Sequence, residues 1–467
     1  MRRYDMVVIG GGAAGLVAAR EARRLGKTVV IVQHGPLGGD CTFTGCVPSK
    51  TLLAQAAQRQ PFEAAIATVH EVVAHIAAGE DAAAMAHYGI DVIDGRATVH
   101  GARRVEVNGT TLKTRRVVVA TGARPLLPPI PGLADLPPLT NETLFQLTAA
   151  PASMIVLGGG PIGCEMAQAF ARFGTAVTLI EAAARLLPHE EPEASAVVAR
   201  ALEADGVVVR VGTAATGVAR LADGRVELTT DQGPPVQAEH LLAAVGRAPS
   251  GRGFGLEAAG VEIDARGAVV VDDAMATNVR GIFAAGDVTG RLQFTHAAGR
   301  MGWIAAANAL SKVARVRRFR FSTAAIPWAT FTSPEVGRVG LTEAEAAGRY
   351  PGARVAFLPF AHVDRALATG HTDGFVKLIA VPRRVIGHLA GGRLVGATVV
   401  GPTGGDVVHE AALAVQTRML VGRLAQTTHA YPTWAATVQQ AALQFFGSSS
   451  GFSARPARRD DQPDAAT

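Results

Sequence analysis

The chain has 467 residues, enough for two to four domains each with its own core, and 48% of them are apolar. No uncharged apolar run reaches the ~18 residues of a membrane span, and the start Met-Arg-Arg-Tyr-Asp lacks the layout of a signal peptide, so a cytoplasmic protein is expected. The net charge of +6 is scattered without a nucleic-acid motif, and three cysteines are too few for a structural disulfide framework.

Met6–Ile9 reads as a short apolar strand, followed by Gly10-Gly-Gly-Ala-Ala-Gly15 and a helical pattern over residues 16–25. Strand, Gly-x-Gly-x-x-Gly and helix in that order form a dinucleotide fingerprint. Its glycines permit a tight turn and let a pyrophosphate approach the helix N-terminus. Gly10, Gly12, Ala13, Ala14 and Gly15 are the candidate binding residues. The next strand, residues 28–32, should end in an acid for the ribose hydroxyls, but Gln33 stands there. Its amide can still bond a diol, with weaker anchoring.

Residues 38–50 read Gly-Gly-Asp-Cys-Thr-Phe-Thr-Gly-Cys-Val-Pro-Ser-Lys and hold Cys41 and Cys46. A zinc site needs four ligands, and no second Cys/His pair with suitable spacing follows. A local redox disulfide remains, with two unpaired buried cysteines as the alternative. In a straight helix the two would lie too far apart, so they must straddle a turn or helix start. Pro48 suits a first helical turn, and Cys46 then lies near the positive end of that helix, which favours thiolate. Lys50 is one of only five lysines in a chain that otherwise uses Arg, which points to a specific job for a compact ammonium. The stretch resembles the redox-active disulfide of the class I pyridine nucleotide–disulfide oxidoreductases, roughly Gly-Gly-x-Cys-x4-Cys-x-Pro-Ser/Thr-Lys. The likeness runs from about Asp5 to about Phe446. It implies that the first fingerprint holds FAD, with Gly39, Asp40 and Lys50 beside it.

Further along, residues 51–78 read as one alanine-rich helix, and residues 94–98 and 105–107 as hairpin strands. The family counterpart of Ala97 touches the adenine through its backbone. Val117-Val-Val-Ala-Thr-Gly-Ala-Arg-Pro125 is similar to the family's Ala-Thr-Gly segment, which implies Thr121 and Gly122 beside FAD. Proline-rich residues 128–138 mark a domain boundary. The fingerprint then repeats: Met154-Ile-Val-Leu as strand, Gly158-Gly-Gly-Pro-Ile-Gly163 as turn, and residues 164–173 as helix, with Gly158, Gly160 and Gly163 in the glycine slots. The following strand does end in an acid, Glu181, which would accept from a ribose 2′-hydroxyl and repel a 2′-phosphate. NADH is therefore favoured, NADPH is possible, and a solvent-facing Glu is the alternative. Cys164 reads as packing. Glu165 matches a family acid that pairs with the motif lysine beside the flavin, the alternative being an exposed helix Glu. Gly246 lies in a segment resembling the return of the nucleotide domain, near NAD. Ile282-Phe-Ala-Ala-Gly-Asp287 resembles the second FAD motif, with Asp287 accepting from ribityl or ribose hydroxyls, and Gln293, Phe294, Thr295 and His296 match contacts to the flavin region.

The resemblance implies an α/β chain with two Rossmann-like FAD/NAD(P)-binding domains and an α+β C-terminal dimerisation domain. The boundaries expected are 1–150 and 274–325 for FAD, 151–273 for the nucleotide, 326–447 for dimerisation with period-two strands such as 374–379, and a disordered tail over 448–467. Near the C-terminus the disulfide reductases carry His-Pro-Thr-x-x-x-Glu or a close variant, the His being the acid/base for the interchange thiol. Here the segment reads His429-Ala-Tyr-Pro-Thr-Trp-Ala-Ala436, so Tyr431 takes the His slot and Ala436, or a close neighbour, the Glu slot. His429 matches a first, non-catalytic histidine of lipoamide dehydrogenases and could substitute if the segment is extended, since residues i and i+2 then share a face. Mercuric reductases carry a Tyr at this slot, yet their N-terminal metal-binding domain and C-terminal cysteine pair are missing. The expectation is a homodimer passing electrons from NADH through FAD and Cys41–Cys46 to a disulfide, a thiophilic metal ion or a quinone-like acceptor, with Cys41, Cys46, Lys50, Glu165, Tyr431 and His429 as catalytic candidates and no resident metal. A non-catalytic flavoprotein subunit is the reading from a different class.

Overall fold

The computed structural model describes residues 2–385 and 387–459. These fall into two compact units, one made of residues 1–127, 139–149 and 246–322, the other of residues 128–138, 150–245 and 323–467.

The first unit is built on a five-stranded sheet in the order Ile282–Ala284, Val117–Val119, Met6–Ile9, Val29–Gln33, Asp91–Asp94, with every pairing parallel. Apart from the terminal Gln33, its central strands are apolar because both faces are covered, as parallel sheets require. Met6–Ile9 runs into helix α1 (Ala13–Arg24), which crosses back and packs on the helix Thr295–Leu310. The two backbones nearly touch: a Cβ added at Gly302 would lie 2.1 Å from the carbonyl oxygen of Ala14. The redox stretch forms two helices, α2 (Gly39–Phe43) and α3 (Cys46–Ala57), and α4 (Phe62–Ala78) follows. The single helix expected over residues 51–78 is therefore broken. Pro61 is the N-cap of α4, and its ring and missing N–H end the preceding helix.

The second unit repeats the parallel theme in a four-stranded sheet, Val208–Arg210, Ala176–Ile180, Ser153–Leu157, His240–Ala243, with a three-stranded antiparallel meander over Ala215–Arg220, Val226–Thr230 and Val236–Ala238. It also holds a six-stranded antiparallel sheet in the order Pro327–Thr330, Glu335–Gly340, Arg393–Gly401, Phe375–Val381, Arg354–Pro359, Arg455–Pro456. The strand Phe375–Val381 does alternate, but neither face is wet: Val376, Leu378 and Ala380 enter one core while Ile379 and Val381 enter another. Lys377 on this strand is fully buried and is tolerated because its Nζ meets carboxylates of Glu193 at 2.6 Å, Glu343 at 3.0 Å and Glu191 at 3.2 Å.

The tail is more ordered than its composition implies. Arg455–Pro456 pair with Arg354 and Val355 at the sheet edge, and the Arg455 guanidinium grips Glu343, whose carboxylate the tail's Arg458 N–H also reaches. The part of the expected disordered tail over residues 460–467 lies outside the described residues.

Candidate active site

In each fingerprint the third glycine is a matter of close approach. A Cβ on Gly15 would sit 1.9 Å from the oxygen of Gly10, and one on Gly163 would sit 1.8 Å from the oxygen of Gly158. The second glycines face space instead: nothing lies within 4 Å of a Cβ on Gly160, and only the Gly39 Cα, at 3.8 Å, meets one on Gly12. No side chain caps α1 or the helix Pro161–Arg172, so the first N–H groups are left for an anion. Both cradles fit a dinucleotide pyrophosphate, with Ala13 and Ala14 opening α1 beneath the first.

The acid slots are built alike. Oε2 of Glu181 accepts from the Gly159 N–H at 2.6 Å and Oε1 from the Ala183 N–H at 2.7 Å. Gln33 copies the first of these bonds, its Oε1 accepting from the Gly11 N–H at 2.7 Å, while its Nε2 donates to the His34 carbonyl at 2.8 Å. Substituting Gln for an acid keeps the turn closed and removes the charge. The alternative of a merely solvent-facing Glu181 is set aside by its two backbone donors.

The redox stretch is laced to the first fingerprint, the Gly38 N–H donating to the Gly11 carbonyl at 2.8 Å. Cys46 is the first residue of α3, as its position before Pro48 implies, and Lys50 stands one turn on along the same helix. Cys41 sits mid-way along the short α2. Both cysteines are thiols in this structure, joined by a hydrogen bond. Thr295, the first residue of its helix, holds its hydroxyl 3.2 Å from the Cys46 Sγ. The Cys41 thiol is pushed far above the ordinary thiol range, first by its bond to Cys46, then by burial and by charge on Cys46. Of the two sulfurs, Cys46 is the one at a helix N-terminus, a position that favours negative charge.

Asp287 is pushed up to about 6, first by burial, with Arg247 pulling it down and Asp40 and Cys46 pushing it further up. Arg247 lies between these acids: its Nε is 3.5 Å from Asp287, one of its Nη groups pairs with Asp40, and it donates to the Ala123 carbonyl at 3.1 Å. Arg247 was missed by sequence reasoning, although it adjoins Gly246 in a motif already singled out. Around it, the Thr121 hydroxyl donates to the Ser250 carbonyl at 2.6 Å, and Gly122 accepts from the Ser250 N–H. Gln293 reaches the Arg247 carbonyl at 3.5 Å, Phe294 and His296 stack at 5.7 Å, and Ala97 is buried at the start of its strand.

In the second unit Glu165 is 3% exposed and accepts from the Phe331 N–H at 2.9 Å, so the alternative of an exposed helix Glu is set aside. Cys164 is buried and donates to the Gly159 carbonyl at 3.3 Å, a packing role. Tyr431 and His429 have different partners. Tyr431 is 69% exposed, with its hydroxyl donating to Asp364 at 2.6 Å. The His429 imidazole is tucked in, with Nε2 2.9 Å from Glu410 and Nδ1 2.9 Å from the Thr427 carbonyl. Acceptors on both ring nitrogens call for an imidazolium. Burial alone would lower its pKa, but the bonds to Glu410 and Thr427 outweigh that and raise it. Asp364 and Glu410 had no sequence signal, standing 67 and 19 residues from their partners.

Two family models match the chain: pyridine nucleotide-disulphide oxidoreductase over residues 4–302, and the dimerisation domain of the same family over residues 326–442. The chain belongs to the pyridine nucleotide–disulphide oxidoreductases. It is 38% identical to a mercuric reductase of Streptomyces lividans, covering 95% of this chain and 96% of that one. A dihydrolipoyl dehydrogenase of Thermus scotoductus is 34% identical, over 95% and 97% of the two chains. Among solved structures, the Cu(II) complex of the HOCl-induced flavoprotein disulfide reductase RclA from Escherichia coli superposes with a TM-score of 0.84 at 28% identity, covering 95% of this chain and 99% of that one. As a pyridine nucleotide–disulphide oxidoreductase the chain is a flavoprotein enzyme that uses FAD, NAD(P)H and a redox disulfide, which removes the reading as a non-catalytic subunit. Among the described residues no helix is long and apolar enough to cross a membrane, and no cluster of three or more His, Cys, Asp or Glu is arranged to hold a metal ion.

Proposed function

We propose that this enzyme takes reducing equivalents from NADH, holds them on Cys41 and Cys46, and delivers them from Cys41 to a thiophilic metal ion or a disulfide, working as a homodimer. Bound FAD supplies the two-electron relay between nucleotide and sulfur. The observation that carries the reading is the unequal setting of the two sulfurs. Opening the disulfide takes two electrons and one proton. The helix N-terminus favours thiolate on Cys46, and the bond to Cys46, burial and nearby charge favour the proton on Cys41. The fixed carboxylate of Glu181 favours NADH over a 2′-phosphorylated nucleotide.

The acceptor class follows from Tyr431. A phenol whose pKa is raised by its bond to Asp364 is a poor base at neutral pH, and His429 is engaged on both nitrogens. This favours an acceptor whose own affinity for sulfur displaces the Cys41 proton to solvent without a protein base, as a thiophilic metal ion does, in keeping with the mercuric reductase relatives. Tyr431 also favours a second reading, a quinone-like acceptor reduced without Cys41. A panel of Hg(II), lipoamide, glutathione disulfide and a water-soluble quinone, run on wild type and Cys41→Ser, separates the two. Loss of Hg(II) and disulfide turnover in the variant supports the first reading; turnover of every acceptor surviving supports the second.

A further inference from the structure

Cys41 has an unforeseen neighbour. Immediately after α4 the chain brings Glu80 over the redox stretch, where its Oε2 accepts from the hydroxyl of Thr42 at 2.8 Å. Thr42 is 3% exposed and directly follows Cys41, so the carboxylate is pinned by a buried donor rather than left to swing. The fit is tight from the other side too, since a Cβ on Gly38 would lie 2.7 Å from the same oxygen. Glu80 forms no ion pair among the described residues, so its charge is not cancelled locally. That charge reaches the sulfur: it adds to the upward push on the Cys41 thiol. The two cysteines thus face opposite fields, Cys46 the positive end of α3 and Cys41 a fixed carboxylate.

We infer that Glu80 is a specificity-determining residue that sorts acceptors by charge at Cys41, favouring cations and disadvantaging anionic disulfides. The inference rests on Cys41 being the sulfur that meets the acceptor. A carboxylate near the reacting sulfur repels an incoming carboxylate and attracts an ammonium or metal cation, and at a half-exposed site one charge at this range changes a rate about three- to tenfold. The effect is expected in the second half of the reaction, where Cys41 meets the acceptor.

The test compares wild type, Glu80→Gln and Glu80→Lys holoenzymes with three small disulfides: cystamine (cationic), 2-hydroxyethyl disulfide (neutral) and dithiodiglycolate (anionic). Neutralising Glu80 should raise kcat/KM for dithiodiglycolate about three- to tenfold, lower it for cystamine by a similar factor, and leave the neutral disulfide within about twofold; Glu80→Lys should carry both trends further. Raising the ionic strength should shrink the spread. A change of equal size on all three disulfides, or none on any, overturns the inference, because a purely structural role has no preference for charge. A second readout needs no turnover. NADH-reduced enzyme is alkylated with neutral iodoacetamide or anionic iodoacetate, the sulfur–carbon bond forming as iodide leaves, and the adduct is mapped by mass spectrometry. An adduct on Cys41 whose iodoacetate-to-iodoacetamide rate ratio rises about three- to tenfold in Glu80→Gln supports the role. An adduct on Cys41 with an unchanged ratio overturns Glu80 alone. An adduct confined to Cys46 overturns the assignment of the sulfurs on which it rests.

Discussion

The Gly159 N–H and the Glu181 carboxylate meet at 2.6 Å, and the same bond recurs between Gly11 and Gln33 at 2.7 Å. One turn geometry is thus used twice, charged in the nucleotide fingerprint and neutral in the flavin fingerprint. The charged copy has two backbone donors and two oxygens with lone pairs to spare for a ribose diol. NADH should exceed NADPH in kcat/KM by on the order of tenfold or more, because a 2′-phosphate would be driven against a fixed carboxylate. Glu181→Gln should narrow that ratio without altering the flavin spectrum. Steady-state kinetics with both nucleotides decide it, and a wild-type preference for NADPH contradicts the argument.

Asp287 gives a pH dependence whose sign runs against ordinary carboxylates. Its pKa is raised in the folded protein to about 6, so the folded state holds the proton more tightly than the unfolded chain. The stability this confers is present below the ordinary carboxylate range and is lost as pH rises through about 6. In FAD-stripped protein, Asp287→Asn should therefore flatten the change in stability between about pH 4 and 6.5, an effect of about 2–3 kcal/mol. Thermal unfolding across that range checks it. An unchanged slope would mean that Arg247 compensates the buried charge fully.

The C-terminal segment predicts a weak dithiol reaction. General acid–base help is typically worth ~10²–10⁴-fold, so lipoamide and glutathione disulfide should turn over slower by about that factor than with relatives carrying the His–Glu pair. His429→Ala should leave this residual rate within about threefold, since the imidazole is held by Glu410 and Thr427. Family-typical lipoamide rates in wild type, or their collapse in His429→Ala, would show that a working base is present.

His429 adds a stability prediction of its own. Its folded pKa is raised, so its contribution is fully present below the ordinary histidine range and is lost as pH climbs through the folded value. Glu410→Gln should lower Tm at pH 6 by a few degrees and by much less at pH 9. Equal losses at both values would point to packing rather than charge.

Much of this enzyme was legible from residues close together in the chain. The two Gly-x-Gly-x-x-Gly turns and the stretch from Gly38 to Lys50 each carry their signal within a dozen positions, and each turn opens a helix as its pattern implies, with Cys46 opening α3. What escaped depends on distant segments meeting. Glu80 joins Thr42 across 38 positions, Tyr431 finds Asp364 across 67, and Lys377 finds Glu191 across 186. A lone acid outside any motif gives no hint of such a meeting. Pro61 is different: the break before α4 was readable from proline chemistry and was masked by the alanine-rich composition on either side.

In the proposed cycle Cys46 carries the thiolate and Cys41 the transferable thiol. Anaerobic titration with NADH, followed by absorbance, tests it most directly. Wild type should develop a long-wavelength charge-transfer band after two electrons and release two titratable thiols. Cys41→Ser should show the band before any reductant is added, and Cys46→Ser should never show it. A band that survives in Cys46→Ser and vanishes in Cys41→Ser would reverse the two roles.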